Sequence, residues 1–293
     1  MADKSIKHFI FMRFFPRQDP KYPYDIFDVD FLSKQVQLAK NNALSSLENQ
    51  TNKNFELVFL ANAKYFDDPK YDFIFSTLKA ATTLPLKFVK NNDMSRLVKA
   101  AFNEYDFVIQ SRMDFDDFIF KDAITDTHSK VNGCDNILAY GYCNGYEYVH
   151  GDLYVYDLKW SGIGHHSILQ SLILKSSFAK PLPHIGIYLF MHDQFKPKYK
   201  EVIEKNGLEF SENMFQQNLS TKAYIYFRHQ FSHYILTHNE GKPIIKIPNR
   251  RKITDKDITK KQLKEEFGFH LPLNSIKDEE ADFDYDFTST KAE

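Results

Sequence analysis

Three aspartates stand within four positions of this chain, at Asp114, Asp116 and Asp117. They follow the run DFVIQS at 106–111, which predicts a buried strand. Carboxylates this close repel each other unless a cation or basic groups offset their charge. Their oxygens suit Mg²⁺ or Mn²⁺, which share the remaining positions with phosphate oxygens and water. In an extended segment Asp114 and Asp116 point to the same side, so the pattern predicts that these two bind a metal.

The same aspartates have a plainer interpretation, as solvent-facing caps of a helix predicted at 117–130. Their position favours the metal site, because ligands of open α/β sheets bind beyond the carboxyl ends of the strands.

The elements that must position these residues alternate between strand and helix in the first half of the chain. This alternation predicts a mostly parallel sheet with helices on both faces. Strands are predicted at 7–14, 54–60, 86–90 and 106–111, and helices at 31–51, 69–81 and 93–104, the last with Asp93 as N-cap. The second half is less regular, with predicted strands at 136–140, 152–158, 184–190 and 223–227, a turn at 141–145, and a helix at 192–207 interrupted near Pro197.

Composition limits the function classes. The formal net charge of -1 excludes a general nucleic-acid binder. Two cysteines, nine positions apart, fit no metal or redox spacing and indicate a reducing compartment. Neither a signal peptide nor a bilayer-length apolar run is evident, so we expect a cytoplasmic protein. Glycine-rich phosphate loops and the G-x-S-x-G elbow are missing, which disfavours kinases, dehydrogenases and α/β-hydrolases.

Four segments resemble the GT-A nucleotide-diphospho-sugar transferases, and among them the rhamnosyltransferase family of bacterial polysaccharide gene clusters. They are FIFMRF at 9–14, SSLENQTNKNFELVFL at 45–60, SRMDFDDFI at 111–119 and YGYCNGYEY at 140–148. The resemblance implies a GT-A-like α/β fold with a Rossmann-like half, and a D-x-D motif that binds Mn²⁺ or Mg²⁺ on the diphosphate of a nucleoside-diphosphate sugar. It implies a glycosyltransferase of polysaccharide biosynthesis, acting on a capsule, lipopolysaccharide or lipid-linked glycan acceptor. Phe15 and Pro16 depart from the family, which commonly has Asn after Arg-Phe.

The resemblance also implies roles for single residues. At the donor we expect Arg13 and Phe14 at the nucleotide end, Asn62 at the base or ribose, and Arg96 in the helix before the motif. A surface ion pair is the alternative for Arg13. Arg112 is expected either to pair with the donor diphosphate or to neutralise Asp116, and the match between its planar guanidinium and phosphate geometry favours the diphosphate. For an inverting transferase, Asp193 is the expected general base, with a helix N-cap as its alternative role and His192 as a weaker candidate base. His229 is the expected C-terminal metal ligand, with His233 second.

The chain is predicted to divide into a donor half at 1–131, an acceptor half at 132–276 of the same domain, and an acidic disordered tail at 277–293. A basic segment at 242–264 is either a solvated surface or a peripheral contact with anionic lipid. Two other functions fit the acidic cluster. One is a metal-dependent nucleotidyl or phosphoryl transferase, and the other a non-catalytic module that binds nucleotide sugars.

Overall fold

The computed structural model describes residues 4–15, 24–149, 151–157, 168–181, 186–189, 195–228, 251–254 and 256–273. Several predicted features lie outside these residues: Asp193, His192, His229, His233 and the tail at 277–293. In the described part of the chain, no helix is both long and apolar enough to cross a bilayer.

The first half folds as predicted, into parallel strands connected by helices. Its strands are β1 (Ile6–Phe14), β2 (Glu56–Ala61), β3 (Leu86–Lys90) and β4 (Phe107–Met113). Its helices are α1 (Val29–Ala39), α2 (Ser45–Glu48), α3 (Ala63–Asp67), α4 (Asp72–Ala80) and α5 (Met94–Ala101). β1 pairs in parallel with β2 and β4, and β2 pairs in parallel with β3. β2 and β4 are buried along their whole length, as expected for a sheet covered on both faces.

The helix predicted at 31–51 is interrupted by a π-helical turn. Asp28 caps the start of α1 by accepting a hydrogen bond from the Phe31 N–H. The π-helical turn Lys40–Leu44 then connects α1 to α2 without a break. Leu32 and Leu47 are buried on either side of it. The apolar spacing thus predicted the helix correctly, although it gave no sign of the extra residue in this turn.

The second half extends the same sheet. Its strands are β5 (Phe118–Ile119), β6 (Ile137–Val149), β7 (Asp152–Asp157), β8 (Gln170–Lys175) and β9 (Phe215–Arg228). Its helices are α6 (Ala123–Ser129), α7 (Ser176–Ala179), α8 (Phe195–Lys205) and α9 (Lys260–Phe267). The strand order is β3-β2-β1-β4-β8-β6-β9-β5, with β7 paired to β6. Because β8 pairs antiparallel with both β4 and β6, the two predicted halves share one sheet.

The turn predicted at 141–145 is wrong, because these residues lie inside β6. A Cβ atom added at Gly145 would stand 2.6 Å from the Tyr224 carbonyl oxygen. The glycine therefore permits close packing of β9 rather than a turn. Gly151, with a φ of 84°, lies between β6 and β7, which pair as antiparallel neighbours.

Three further predictions need correction. The helix predicted at 117–130 begins only at Ala123, since the residues before it form β5. The strand predicted at 184–190 is the 3-10 turn Ile187–Leu189 in its described part. Pro197 does not interrupt a helix, because α8 begins at Phe195 and the first turn of a helix needs no N–H from proline.

Candidate donor site

The acidic cluster forms a turn at the carboxyl end of β4. β4 ends at Met113, and the Asp117 N–H approaches the Asp114 carbonyl oxygen at 3.4 Å. Asp114 and Asp116 are partly buried, whereas Asp117 is fully buried. The location beyond a buried strand is as predicted. The prediction of an extended segment is wrong, because residues 115 and 116 form a turn. Strand-like alternation therefore does not place the carboxylates of Asp114 and Asp116 on one side.

Asp117 connects the acidic turn to the end of β9. Its Oδ1 accepts a hydrogen bond of 2.9 Å from the Phe227 N–H. The next two residues form β5, which pairs antiparallel with β9. Asp117 is therefore not the helix cap of the plainer interpretation. His229, the predicted metal ligand, follows Phe227 by two positions in the sequence and lies outside the described residues.

The acidic turn and the residues after it are held from the other side by a helix face formed by Asn42 of the π-helical turn, Ser46 of α2 and Gln50 just beyond α2. Asn42, Ser46 and Gln50 lie four residues apart, and each is at most 2% exposed. The Asn42 amide donates to the Asp116 carbonyl oxygen at 2.8 Å. The Ser46 hydroxyl donates to the Ile119 carbonyl oxygen at 2.9 Å and accepts from the Ile119 N–H at 2.7 Å. The Gln50 amide donates to the Phe120 carbonyl oxygen at 2.9 Å.

Sequence reasoning missed these three residues. The available signal was a row of polar side chains at positions i, i+4 and i+8 on a helix face that is otherwise apolar. Two of them belong to the segment 45–60, which carried part of the family resemblance. Their hydrogen bonds give that resemblance a physical reason, because this segment holds the backbone of Ile119 and Phe120, directly after the acidic turn.

Two arginines share one aromatic ring beside the acidic turn. Arg112 in β4 pairs with Phe11 in β1, and Arg13 lies two residues further along β1, so both side chains belong to one face of the sheet. Their guanidinium carbons lie over the ring of Tyr188, at 3.8 Å for Arg13 and 5.0 Å for Arg112. Tyr188 was not predicted, because its segment was interpreted as a strand.

The position of Tyr188 is set by two hydrogen bonds to the sheet. The Tyr188 hydroxyl donates to the Phe11 carbonyl oxygen at 3.1 Å. The Ile187 N–H donates to Oε1 of the fully buried Gln110 at 3.2 Å. Burial raises the pKa of Tyr188 to about 12, so the ring remains a neutral phenol at physiological pH. A guanidinium packs favourably against the face of a neutral aromatic ring.

The electrostatics of the two arginines suit an anionic ligand. Arg112 is 5% exposed, whereas Arg13 is exposed to solvent. Burial lowers the pKa of the Arg112 guanidinium, and the charge of Arg13 acts in the same direction. Tyr188 and Asp114 oppose this shift. Two like charges around one ring repel each other, and a diphosphate bound between them would relieve that repulsion.

Phe14 lies on the opposite face of β1 from Arg13. It is 1% exposed, and its ring makes edge contacts with Tyr65 and Phe115, at centroid distances of 6.5 and 5.3 Å. Phe115 belongs to the acidic turn, so Phe14 supports the turn from within the core. Its predicted place at the nucleotide end remains a prediction.

Two other predicted donor residues lie where their elements begin. Asn62 directly follows β2 and caps α3, where its Oδ1 accepts from the Lys64 N–H at 3.0 Å. Arg96 is exposed on α5. Asp93 occupies the N-cap position of α5 as predicted, although its side chain makes no capping hydrogen bond.

A buried polar chain connects α6, β1, β4 and β8. His8 Nδ1 and His128 Nε2 are 3.0 Å apart, and His8 Nε2 lies 2.8 Å from the Ser111 hydroxyl. Ser111 in turn lies 2.6 Å from the Ser171 hydroxyl in β8. Burial, with a smaller effect of His128, lowers the pKa of His8 well below its usual range. Burial lowers the pKa of His128 to about 4.

Two described residues at the centre of the basic segment are paired with acids. Arg251 pairs with Asp257, and Lys252 lies 2.8 Å from Asp152. Arg250 lies outside the described residues. These pairs favour the solvated interpretation over lipid contact at the two residues concerned.

A metal at this site needs ligands from more than the protein side chains described. Among the described residues, no group of three or more His, Cys, Asp or Glu side chains is arranged to hold a metal ion. Asp114 and Asp116 supply hard oxygen donors within one turn. This donor set fits Mg²⁺ or Mn²⁺, which commonly take one or two carboxylates and complete their shell with phosphate oxygens and water.

A comparison with protein families decides the classification. The family described as "Putative rhamnosyl transferase" matches residues 24–225 of the 293. The chain belongs to this family. The match includes the acidic turn, the helix face with Asn42, and Tyr188. It confirms the resemblance noted from the sequence. None of the curated proteins compared matches the chain.

The chain resembles solved structures more weakly than it matches the family. TarS of S. aureus is 12% identical with a TM-score of 0.39, and the comparison covers 77% of this chain and 37% of TarS. Its fragment 1–349 in complex with UDP-GlcNAc is 14% identical with a TM-score of 0.41, covering 78% and 60%. HddC of Yersinia pseudotuberculosis is 17% identical with a TM-score of 0.35, covering 74% and 91%. The scores are too low for us to infer a function from these three structures.

Proposed function

We propose that the protein is a glycosyltransferase that moves a sugar from a nucleoside-diphosphate donor to a glycan or lipid-linked glycan acceptor. One observation carries the proposal, in a chain that belongs to a transferase family. Asp114 follows β4 directly and acts electrostatically on Arg112, which shares the Tyr188 ring with Arg13. This arrangement of acids and guanidinium groups at the carboxyl ends of two parallel strands suits a diphosphate and its metal.

The metal-binding residues in this proposal are Asp114 and Asp116, with Mn²⁺ or Mg²⁺ as the ion. His229 is the proposed third protein ligand. It is supported by its place in the sequence, two residues after the Phe227 N–H that Asp117 binds. A bound ion would offset negative charge on the leaving diphosphate. Arg112 is proposed to pair with the same diphosphate, which supplies positive charge from the protein itself.

Other roles follow from the family resemblance. Asp193 is the proposed general base that takes the proton of the acceptor hydroxyl. Asn62 is proposed to contact the base or ribose, with Phe14 supporting the nucleotide end and Arg96 in reach of the donor. The acceptor is proposed to be a surface polysaccharide or its lipid-linked precursor. A cytoplasmic enzyme in peripheral contact with the membrane would suit such an acceptor.

The proposal is tested by binding of nucleoside diphosphates. A panel of ADP, GDP, UDP and dTDP is added with and without Mn²⁺, and the thermal unfolding midpoint is recorded. A ligand that binds only the folded state raises the midpoint by mass action. We expect one nucleotide to raise it in Mn²⁺, and the replacements Asp114→Asn and Asp116→Asn to reduce the shift. The exposed Asp135→Asn serves as the matched control.

Turnover distinguishes the proposed activity from its rivals. The nucleotide sugar with the matching base is incubated with the protein in Mn²⁺, and free nucleoside diphosphate is measured. Slow release of nucleoside diphosphate supports a glycosyltransferase. Release of nucleoside monophosphate or of inorganic phosphate instead would indicate a nucleotidyl or phosphoryl transferase. Binding without any release would indicate a non-catalytic module.

A further inference from the structure

The ring of Tyr188 and the two arginines form a site of their own beside the acidic turn. We propose that Tyr188 positions Arg13 and Arg112 as a two-guanidinium site that binds the donor diphosphate without a metal ion. The inference rests on the proposed function for the identity of the ligand. The inference goes beyond the proposed function because it separates binding of the diphosphate from binding of the metal.

The geometry carries the first step of this inference. Both guanidinium carbons lie within 5.0 Å of one ring centroid. The ring is fixed through its hydroxyl, which donates to the Phe11 carbonyl oxygen, and through the neighbouring Ile187 N–H, which donates to Gln110. A cation held over an aromatic face loses little freedom when it binds an anion, because its side chain is already ordered.

The burial pattern carries the second step. Arg112 is 5% exposed and Arg13 is exposed, so the pair presents one fixed charge and one accessible charge on the same face of the sheet. The two guanidinium groups over one ring carry like charges, which repel each other. A diphosphate, with at least two negative charges, is the ligand class whose charge and planar oxygen edges match the pair.

The alternative is that Tyr188 only fills space between the arginines and the sheet. In that case the phenol ring could be replaced by another apolar side chain without an effect on anions. The two roles differ in their dependence on the ring itself and on salt, because interactions between a diphosphate and an exposed arginine weaken as ions screen them.

The experiment uses inorganic pyrophosphate, which needs no knowledge of the base, and isothermal titration calorimetry of the full chain in excess EDTA. We expect pyrophosphate to bind in EDTA, and to bind more weakly at about 0.5 M NaCl. Arg13→Gln and Tyr188→Leu should each weaken this binding about tenfold, the usual effect of losing a charged hydrogen bond or its support. Tyr188→Phe keeps the ring and should weaken it less than about threefold. Lys99→Gln removes an exposed basic side chain of α5 that has no proposed role at the donor, and it should have no effect.

Each outcome has a distinct meaning. If pyrophosphate fails to bind in EDTA while a nucleoside diphosphate binds in Mn²⁺, the inference is overturned and the proposed function stands. Equal affinities for the original protein and Tyr188→Leu would overturn the positioning role. Arg13→Gln alters an exposed side chain, so it tests the site even if Tyr188→Leu does not fold. Binding of pyrophosphate in EDTA with no turnover of any nucleotide sugar would support the inference and overturn the proposed function.

Discussion

The two sides of the candidate site are held in different ways. The acidic turn is fixed by the helix face of Asn42, Ser46 and Gln50 and by the bond from Asp117 to β9, all through backbone atoms of a buried segment. The arginine pair is fixed through one partly buried ring, attached to the sheet by two hydrogen bonds. The first side is part of the core, whereas the second includes an exposed arginine and a partly buried ring, Arg13 and Tyr188, that can be altered with less effect on the core. Substitutions should therefore change stability on the first side and anion affinity on the second.

The largest expected loss of stability comes from Ser46→Ala. This change leaves the buried N–H and carbonyl of Ile119 without their shared partner. We expect the free energy of unfolding to fall by about 2–3 kcal/mol, measured by urea denaturation. Ser76→Ala is the control, since Ser76 is exposed on α4, and it should cost less than about 0.5 kcal/mol. Equal losses for both variants would show that the helix face does not hold the turn.

The next effect is a dependence of stability on pH. Because the pKa of His128 falls to about 4 in the folded protein, from an ordinary value near 6.5, the unfolded chain binds protons first as the pH falls. Stability is therefore full above the unfolded pKa and declines between about pH 6.5 and pH 4, by about 2 kcal/mol. The burial of His8 acts in the same direction.

Urea denaturation at several pH values measures this dependence. The variant His128→Gln removes one of the two titrating groups and should flatten the slope between pH 6.5 and pH 4, by an amount on the order of one proton. An unchanged slope in this variant would contradict the assignment of the pH dependence to the buried histidine chain.

A smaller change in stability is expected on the arginine side from Gln110→Leu. This variant removes the acceptor of the Ile187 N–H and so releases the turn that carries Tyr188. We expect a loss of about 1 kcal/mol, because the short turn can rearrange toward water. Pyrophosphate affinity in EDTA should fall as much as in Tyr188→Leu. If Gln110→Leu lost much stability and kept its affinity for pyrophosphate, the proposed difference between the two sides would be contradicted.

The smallest expected change in stability comes from Asn42→Leu, on the acidic side. This variant removes the hydrogen bond to Asp116 and also the buried Asn42 Oδ1, which finds no hydrogen-bond partner among the described residues. These effects oppose each other, so stability should change by less than about 1 kcal/mol. The Asp116 backbone loses its anchor, and nucleotide affinity in Mn²⁺ should fall about threefold or more. Calorimetry in Mn²⁺ and in EDTA separates this effect from the arginine pair, which should be unaffected.

The sequence predicted the elements whose periodicity is strong and missed features set by tertiary contacts. The strands of the parallel half and their helices follow from apolar spacing, and they place Asp114, Arg112 and Arg13 at one end of the sheet. The glycines of the segment 141–145 led to the wrong prediction of a turn. Glycine also occurs where another chain segment approaches closely, as Tyr224 does at Gly145.

The positions of Tyr188 and Asn42 were not predictable for a related reason. The short segment of Tyr188 has the same apolar composition as a strand, and only its hydrogen bond to the buried Gln110 makes it a turn over the arginines. Asn42 reaches Asp116 from a π-helical turn that leaves no mark on the apolar spacing. Both depend on contacts with residues about 75 positions away in the chain.

The π-helical turn Lys40–Leu44 also bears on which changes of chain length this protein can accept. A π-helical turn holds one residue more than the α-helical turn it replaces. Deleting one residue there should restore a regular helix and keep the flanking helices in phase, so that Ser46 and Gln50 would still meet the segment after the acidic turn. The deletion would withdraw only the amide that Asn42 places on Asp116. A deletion of the same size in α1 or α2 would instead rotate one apolar face away from the sheet by about 100°.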